Sequence, residues 1–305
     1  MASDEGSRHG RVATIDRVAQ RSCRSPRRPT LAEPAARLEG LTLTPRLFLP
    51  LALAANAVVT LPAAAARHVQ VLRLQPGDSL VVFNGSDGAD WPAEIVRIGR
   101  RDVEVRLGAP TAVDRELACD VTIAVGVPAN DRMDALVEKA GELGAASIQP
   151  LVCERSVVRL SGERAEAKRA HWQAVATAAS EQCGRARVAA VRPVASLTSW
   201  LESLTSPSEH RIVLSLAPSA LDPERALADE VPRSPVDDLP SAGRASVVVL
   251  SGPEGGLAPA EESAARARGF FAVGLGPRVL RADTAPLALL AWLGLRALRA
   301  PGTPR

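Results

Sequence analysis

The chain has 305 residues, 46% hydrophobic and 23% charged, a composition typical of a globular protein with one large or two ordinary domains. The longest fully apolar stretch near its C-terminus, residues 285–295, is too short for a membrane span, which needs about 20 residues. The formal net charge is +3, and residues 1–44 account for all of it. Any nucleic-acid surface on the remaining residues must therefore be a local patch.

The four cysteines and four histidines are dispersed along the chain and form no CxxC pair or other ligand spacing. This pattern argues against a zinc site and against a disulfide framework. Reduced thiols are the expectation for such a chain, which predicts a cytoplasmic protein without a metal.

Residues 1–44 are rich in Arg, Ser and Pro and show little apolar periodicity, which predicts a disordered extension. Residues 45–115 have the pattern of a small β-rich unit. The stretch "PAAAARHVQVLRL" (62–74) predicts a short helix, and "SLVVFNGSDGADWPAEIVRI" (79–98) predicts two strands around a turn. Short strands at this spacing predict a small β-barrel.

From residue 118 to about 300 the rhythm changes, because apolar runs alternate with helical segments. This alternation predicts a parallel sheet covered by helices. The predicted strands are "VTIAVGV" (121–127), "IQPLV" (148–152), "RIVLSL" (211–216), "SVVVLS" (246–251) and "FFAVGL" (270–275). A helix is predicted over 131–143, although Gly141 inside it costs about 1 kcal/mol relative to Ala.

Two loops near the C-terminus, "LSGPEGGLAPAEE" (250–262) and "GLGPRVLRADTAPLALLAWLG" (274–294), each follow a predicted strand and lead into a predicted helix. Neither contains the GK[ST] ending of a P-loop. The second begins like a dinucleotide fingerprint, but Val279 replaces its third glycine, and Asp283 follows Gly276 by seven positions instead of about twenty. A nicotinamide-dependent dehydrogenase is therefore a distant alternative.

Glycines in these loops would let a flat ring approach the main chain closely, and prolines would stiffen each turn. Loops at the carboxyl ends of parallel strands are also where such sheets bind ligands. The two loops thus favour a nucleoside that lacks phosphates, such as S-adenosylmethionine. Two ordinary strand–helix turns are the alternative on this evidence alone.

The motifs "SGPEGGLAPAEE" and "LGPRVLRADTAPLALLA" resemble the C-terminal signature of the RsmE-type rRNA uridine-N3 methyltransferases of the SPOUT superfamily. "PRLFLP" and "HVQVLRLQPGDSLVVFNGSDG" are similar to the PUA-like domain of that family, and "SEQCGR" to one of its central motifs. The resemblance covers residues 45–300. It implies an RNA-binding PUA-like barrel over 45–115 and, over 118–300, a parallel α/β domain with a C-terminal trefoil knot.

The resemblance also implies S-adenosylmethionine as methyl donor, 16S rRNA or the small ribosomal subunit as partner, and a homodimer that pairs through the region of 287–295. Carried over by position, the donor contacts are Leu216, Gly252, Pro253, Gly255, Gly256, Leu275, Gly276, Val279, Leu280 and Thr284. One departure concerns Ala258, where family members often have Ser or Thr. The helix that follows then lacks an N-cap oxygen, worth about 1 kcal/mol.

Methylation at uridine N3 requires that its proton leave, so a base or a cation that stabilises the resulting anion is needed. The candidate catalytic residues are Glu181, Arg155 and Arg281. Candidate RNA contacts are Arg46, Arg73, Gln182 and Arg185, with Arg100 and Arg101 as further cations on a turn. Salt bridges on the surface or along a helix are an equally good interpretation of each residue.

A non-catalytic RNA-binding protein on the same scaffold is the main alternative, because a small barrel alone can bind RNA. The intact glycines of both loops favour the enzyme. Binding of S-adenosylmethionine separates the two hypotheses.

Overall fold

The computed structural model describes residues 44–100, 102–129, 132–205, 209–226 and 244–297. The predicted disordered extension, apart from Thr44, lies outside the described residues, as do Arg101 and the end of the predicted second domain at 298–300. Within the described ranges, no helix is both long and apolar enough to cross a membrane.

The N-terminal part is a mainly antiparallel sheet that packs against one helix. Its elements are β1 (Arg46–Phe48), β2 (Val58–Thr60), α1 (Ala63–Val71), β3 (Ser79–Phe83), β4 (Ala89–Ile98), β5 (Val103–Leu107) and β6 (Thr111–Ala112). The strand order is β1-β3-β4-β5-β2, with β6 paired to β4. Alternate residues of β4, from Ala89 to Ile95, are buried, as expected for a strand with one face toward a core. The predicted helix and strands of this region are confirmed.

The second part contains a parallel sheet, whose described strands have the order β10-β8-β7-β12-β11-β13, with β9 paired to β8. The strands are β7 (Cys119–Gly126), β8 (Ser147–Val152), β9 (Ala190–Val191), β10 (Ala195–Ser196), β11 (Glu209–Leu214), β12 (Ala245–Ser251) and β13 (Phe271–Val273). The helices are α2 (Arg132–Glu142), α3 (Gly162–Cys183), α4 (Leu197–Ser203), α5 (Pro223–Ala226), α6 (Pro259–Ala267) and α7 (Thr284–Ala297). The predicted parallel α/β architecture is confirmed.

Helices cover both faces of this sheet. Val247 and Val249 of β12 belong to a core shared with α2, α3 and α7. Val248 and Leu250 point to the opposite face, into a core shared with α4 and α6. Because successive residues of a strand point to opposite faces, a nearly continuous apolar run is what a doubly covered strand requires.

The glycine inside α2 has a packing role. A Cβ built on Gly141 would lie 3.1 Å from the Cβ of Ala179 in α3. Glycine therefore allows α2 and α3 to approach closely, which offsets its low helix propensity.

Three adjacent strands of the sheet, β12, β11 and β13, are parallel, so their carboxyl ends meet at one edge. The connections that follow them include both of the glycine-rich loops. The trefoil knot implied by the sequence resemblance stays a prediction.

Candidate active site

A cavity of about 700 Å³ opens at the carboxyl ends of β11, β12 and β13. Its lining comes from residues 214–217 at the end of β11, 251–257 at the end of β12, and 278–282 beyond β13. Arg132, the first residue of α2, and Arg155, from the loop after β8, also line it. Ligands of open parallel sheets bind at such an edge, so the fold places this cavity where a ligand is expected.

Most of the residues predicted to contact a methyl donor line this one cavity. Those that line it are Leu216, Gly252, Pro253, Gly255, Gly256, Leu275, Val279 and Leu280. Gly276 and Thr284 are not part of the lining. Gly276 has φ +84°, a conformation that favours glycine, and Thr284 is the first residue of α7.

The β12–α6 loop, residues 252–258, is closely packed. Glycine is required at one position within the loop and at one position in β7 that the loop contacts. A Cβ on Gly252 would lie 2.7 Å from the backbone nitrogen of Leu257. A Cβ on Gly126, at the end of β7, would lie 2.6 Å from Cδ of Pro253. No local pattern in the sequence marks Gly126, since its neighbour Pro253 lies far from it in the chain.

One end of this loop is bound to the connection that follows β7. Oε1 of Glu254 accepts a hydrogen bond from the backbone N–H of Ala129 at 2.8 Å. The same oxygen lies 3.8 Å from a guanidinium nitrogen of Arg132, the first residue of α2. Glu254 therefore ties the β12–α6 loop to a neighbouring segment of the cavity wall.

The side chain of Arg155 binds main-chain carbonyl groups in the second half of the loop. Its Nη1 donates to the carbonyl oxygen of Gly255 at 3.0 Å and to that of Leu257 at 3.3 Å. The side chain is exposed at the cavity. This predicted catalytic residue is thus in the cavity, with one nitrogen engaged by the loop.

The missing N-cap oxygen at Ala258 has a partial substitute. Oε2 of Glu261 accepts a hydrogen bond from the backbone N–H of Ala258 at 2.9 Å. Its other oxygen accepts one from the N–H of Glu154 at 2.7 Å. Glu261 therefore fixes the start of α6 and joins it to the segment that carries Arg155.

Four arginines line the cavity, and their partners differ. Arg132 and Arg155 contact the protein as described above, whereas no hydrogen bond or ion pair to the described residues engages the exposed side chains of Arg278 and Arg281. Unengaged guanidinium groups at a cavity mouth suit an anionic ligand. Arg281 was predicted from the sequence and Arg278 was not, although both lie in the loop that follows β13.

The acidic side of the cavity was also missed from sequence. Glu262 accepts hydrogen bonds from the hydroxyl of Ser215 at 2.9 Å and from Arg266 at 2.7 Å. Both Glu262 and Ser215 line the cavity. The only signal available was the position of Glu262 in the first turn of α6, where acidic residues are common for reasons of helix stability alone.

Glu181, a predicted catalytic residue, lies elsewhere. It lines a separate cleft of about 430 Å³ that also contains Phe48, Pro50 and His68. Its Oε1 accepts a hydrogen bond from the backbone N–H of Phe48 at 2.9 Å. The structure therefore does not bring Glu181 to the cavity that contains Arg281. Gln182, a predicted RNA contact, is exposed beside it.

Arg185, predicted to bind RNA, is buried, with only 3% of its side chain exposed. It forms an ion pair with Glu116 and donates to the carbonyl oxygens of Gly141 and Ala145 at 2.8 and 2.9 Å. The guanidinium of Arg185 is occupied inside the protein, which argues against the predicted RNA contact.

Arg46 is likewise engaged, since only 13% of its side chain is exposed. It pairs with Asp90 at 2.5 Å, donates to the carbonyl oxygen of Arg185 at 3.2 Å, and lies 5.0 Å from the ring centroid of Phe83. The bond to Arg185 joins the N-terminal sheet to the α/β part, and the three contacts together leave little of Arg46 for RNA. Arg73 and Arg100 are exposed, and Arg101 lies outside the described residues.

Two thiols are protected by burial. Burial raises the pKa of Cys153 to about 12 and that of Cys119 to about 11. Cys153 lies close to the end of β7, because its Sγ would be 3.1 Å from a Cβ on Gly126, the same position that contacts Pro253 of the β12–α6 loop. Both thiols are therefore neutral near neutral pH and suited to packing rather than to nucleophilic chemistry.

Two family models match the chain. The model of an RNA methyltransferase domain matches residues 115–294, and that of an RNA methyltransferase PUA domain matches residues 61–108. The second match confirms the predicted PUA-like N-terminal domain. The first contains every residue that lines the 700 Å³ cavity.

Individual relatives agree with these models. The ribosomal RNA small subunit methyltransferase E of Bacillus subtilis is 32% identical over 73% of this chain and 83% of its own length. The corresponding protein of Synechocystis is 33% identical over 77% of this chain and 72% of its own length. A crystal structure of that methyltransferase from Neisseria gonorrhoeae, bound to S-adenosyl methionine, is 34% identical with a TM-score of 0.71, covering 82% of this chain and 96% of its own.

Proposed function

Because this chain belongs to the RNA methyltransferase family of the ribosomal RNA small subunit methyltransferases E, we propose that it methylates N3 of a uridine in 16S rRNA. The coarser activity, S-adenosylmethionine-dependent methylation of rRNA, is that of the family. The observation that carries the proposal is one cavity, at the carboxyl ends of three strands, lined by both glycine-rich loops.

The cavity has the properties that a methyl donor of the nucleoside type requires. Gly252, Gly255 and Gly256 line the cavity without side chains, so a flat adenine ring can approach the main chain closely. Leu216, Leu275 and Val279 supply apolar surface for its faces. When bound there, S-adenosylmethionine supplies an electrophilic methyl group on a sulfonium centre. We propose the eight lining residues named above as its contacts, with Gly276 and Thr284 shaping the turn behind them.

The protein must make N3 of uridine nucleophilic. Neutral uracil has a proton at N3. As that proton passes to solvent water, the electron pair of the broken N–H bond stays on the ring, and negative charge spreads to the two neighbouring carbonyl oxygens. A guanidinium at the cavity mouth stabilises this charge by hydrogen bonds in a site from which water is partly excluded. We assign this role to Arg281, because it is exposed in the cavity lining and no hydrogen bond or ion pair within the described chain engages its side chain.

The other candidate residues are proposed to contact RNA or are left out of the reaction. Arg278, three residues before Arg281, is placed to contact an RNA phosphate next to the target nucleotide. Arg73, Arg100 and Gln182 are exposed and stay proposed RNA contacts. Glu181 is not included in the reaction, because it lines a different cleft.

The target uridine must be unpaired or flipped out, since N3 takes part in Watson–Crick pairing. The PUA-like domain offers a second surface, which would recognise the shape of the surrounding RNA. We propose that the enzyme acts in the cytoplasm, where small ribosomal subunits are present.

We further propose a homodimer, as the sequence resemblance implies. The predicted interface segment, 287–295, is mainly core, because Leu289, Leu290 and Leu293 are buried. Leu295 in α7 is 59% exposed, and Val279 at the cavity is 78% exposed. These side chains are available for contact with a second copy. Analytical ultracentrifugation of the full chain would give twice the monomer mass of 32.0 kDa if the dimer forms.

The proposed activity is tested with the full chain, S-adenosylmethionine and small ribosomal subunits from a strain that lacks the corresponding gene. After the reaction, the 16S rRNA is digested to nucleosides and separated by chromatography with mass detection. We expect 3-methyluridine, which elutes apart from 5-methyluridine and 2′-O-methyluridine. Methylation of a different atom would refute the N3 assignment. RNA binding without methylation and without any heat on titration of S-adenosylmethionine would favour the non-catalytic alternative.

A further inference from the structure

We propose that Arg155 is a positioning residue that holds the β12–α6 loop in its donor-binding conformation and does not react with the RNA. The inference rests on the proposed donor site and adds a role that residue type and motif position do not reveal. Its consequence is specific. Loss of Arg155 should weaken binding of the methyl donor and leave the methyl-transfer step nearly unchanged once the donor is bound.

The hydrogen bonds of Arg155 point to this role. Its Nη1 carries two hydrogens, and the two carbonyl oxygens that accept from Nη1 belong to Gly255 and Leu257. Its Cβ also packs against the loop, because a Cβ on Gly255 would lie 3.1 Å from it. Arg155 therefore contacts the loop along its side chain, whereas no hydrogen bond or ion pair from the described residues holds the side chain of Arg281.

The base of Arg155 is itself fixed. The hydroxyl of Ser156 accepts a hydrogen bond from the buried N–H of Cys153 at 2.9 Å, and the N–H of Ser156 donates to the carbonyl of Cys153 at 3.1 Å. These bonds form a tight turn directly after β8. The adjacent N–H of Glu154 donates to Glu261 at 2.7 Å. Two neighbouring residues, Glu154 and Arg155, thus hold the loop and the start of α6 from one rigid turn.

The loop needs external support because of its composition. Gly252, Gly255 and Gly256 lie within five positions, and glycine loses more backbone freedom on ordering than any other residue. A loop that is free to move presents its main-chain groups to the ligand in many orientations. Bonds that hold it in one orientation reduce the entropy lost on binding, which raises affinity.

The experiment compares full-length wild-type protein with Arg155→Ala, Arg155→Lys and Arg164→Ala. Titration calorimetry gives the Kd of S-adenosylmethionine, and single-turnover methylation of small ribosomal subunits at saturating donor gives the rate of transfer. For Arg155→Ala we expect the Kd to rise about tenfold or more, since two charge-assisted hydrogen bonds are lost. We expect the single-turnover rate to stay within about threefold of wild type, whereas loss of a charge-stabilising donor costs far more.

Arg155→Lys should recover part of the affinity, because an ammonium group can still donate to carbonyl oxygens. Arg164→Ala removes an exposed arginine from α3, away from the cavity, and should match wild type in both measurements. Hydrogen exchange adds a readout that a catalytic role would not change. Peptides covering 252–258 should exchange faster in Arg155→Ala, and peptides covering β7 should not.

The inference is overturned if Arg155→Ala binds the donor like wild type and loses the transfer rate, or if the loop exchanges at the wild-type rate. If Arg155→Ala does not fold, Arg155→Met, which keeps the aliphatic chain but has no donor, decides by the same criteria. Donor affinity and loop exchange do not depend on which RNA atom is methylated. Failure of the N3 assignment would therefore be seen separately in the nucleoside digest.

Discussion

Two regions of this protein are rich in arginine, and they use it in opposite ways. At the junction of the N-terminal sheet and the α/β part, Arg46 and Arg185 are almost fully buried and bound to Asp90 and Glu116. At the cavity of the parallel sheet, Arg278 and Arg281 are exposed and face a ligand site. The same residue type thus stabilises the fold in one region and is available for chemistry in the other.

The difference comes from the partners that the fold supplies. A buried guanidinium is tolerated only when carboxylates and carbonyl oxygens satisfy it, and Arg185 has all of these. An arginine that binds RNA must instead have a guanidinium that donates no hydrogen bond to an acceptor within the protein. Net charge and position in a motif do not distinguish a buried structural arginine from an exposed one. Substitutions distinguish them, because loss of the buried arginine should lower stability and loss of the exposed one should lower activity.

The largest effect is expected at the junction. Arg185→Ala leaves Glu116 buried without its cation, which should lower the free energy of unfolding by about 3–5 kcal/mol. Chemical denaturation followed by circular dichroism measures this change. Gln182→Ala, an exposed neighbour, should change stability by less than about 0.5 kcal/mol. An unchanged denaturation midpoint combined with weaker RNA binding would restore Arg185 as an RNA contact.

The next effect concerns turnover. Arg281→Ala should lower the single-turnover methylation rate by about 10²–10³-fold with little change in donor Kd, because it removes a group that stabilises charge in the transition state. Glu181→Gln is the matched variant from the other cleft. Its amide oxygen can still accept from Phe48, so we expect a rate close to wild type. If Glu181→Gln is inactive while Arg281→Ala is active, the assignment of roles to the two regions is reversed.

A smaller effect is expected from the cavity wall. Gly252→Ala places a Cβ against the backbone of Leu257, an overpacking that costs about 1–3 kcal/mol and should weaken donor binding about 10- to 100-fold. Gly274→Ala provides the control, since its Cβ would lie 3.5 Å from that of Ala220, an ordinary contact. Calorimetry with S-adenosylmethionine compares the two. Equal affinities would mean that the loop does not form the donor site.

The smallest effect is a difference in thiol labelling between the regions. Burial raises the pKa of Cys153, below the β12–α6 loop, to about 12, so at pH 8 almost none of it is thiolate. Cys183, at the end of α3 near the junction, is only partly buried. Brief treatment with iodoacetamide, followed by peptide mass analysis, should label Cys183 before Cys153. Faster labelling of Cys153 would show that the loop opens in solution.

Much of the fold could be predicted from local pattern. In β4, apolar and polar residues alternate, because only one face of the strand is buried. In β12, the apolar run is continuous, because helices cover both faces of the parallel sheet. The cavity at the carboxyl ends of β11, β12 and β13 could also be predicted, since much of its lining comes from two short loops that follow strands. The need for glycine at position 126 could not be predicted, because it arises from contact with Pro253, which is distant in the chain.

The sequence by itself therefore determined the classes of element, the parallel sheet and the loops that line the cavity. Each of these is predicted from a pattern of residues that are near one another in the chain. Only the tertiary structure decided what each charged side chain does. Arg185 meets Glu116, Arg155 meets the carbonyl of Gly255, and Glu181 meets the N–H of Phe48 across long separations in the chain. A hydrogen bond depends on distances of about 3 Å between atoms, and folding alone sets those distances.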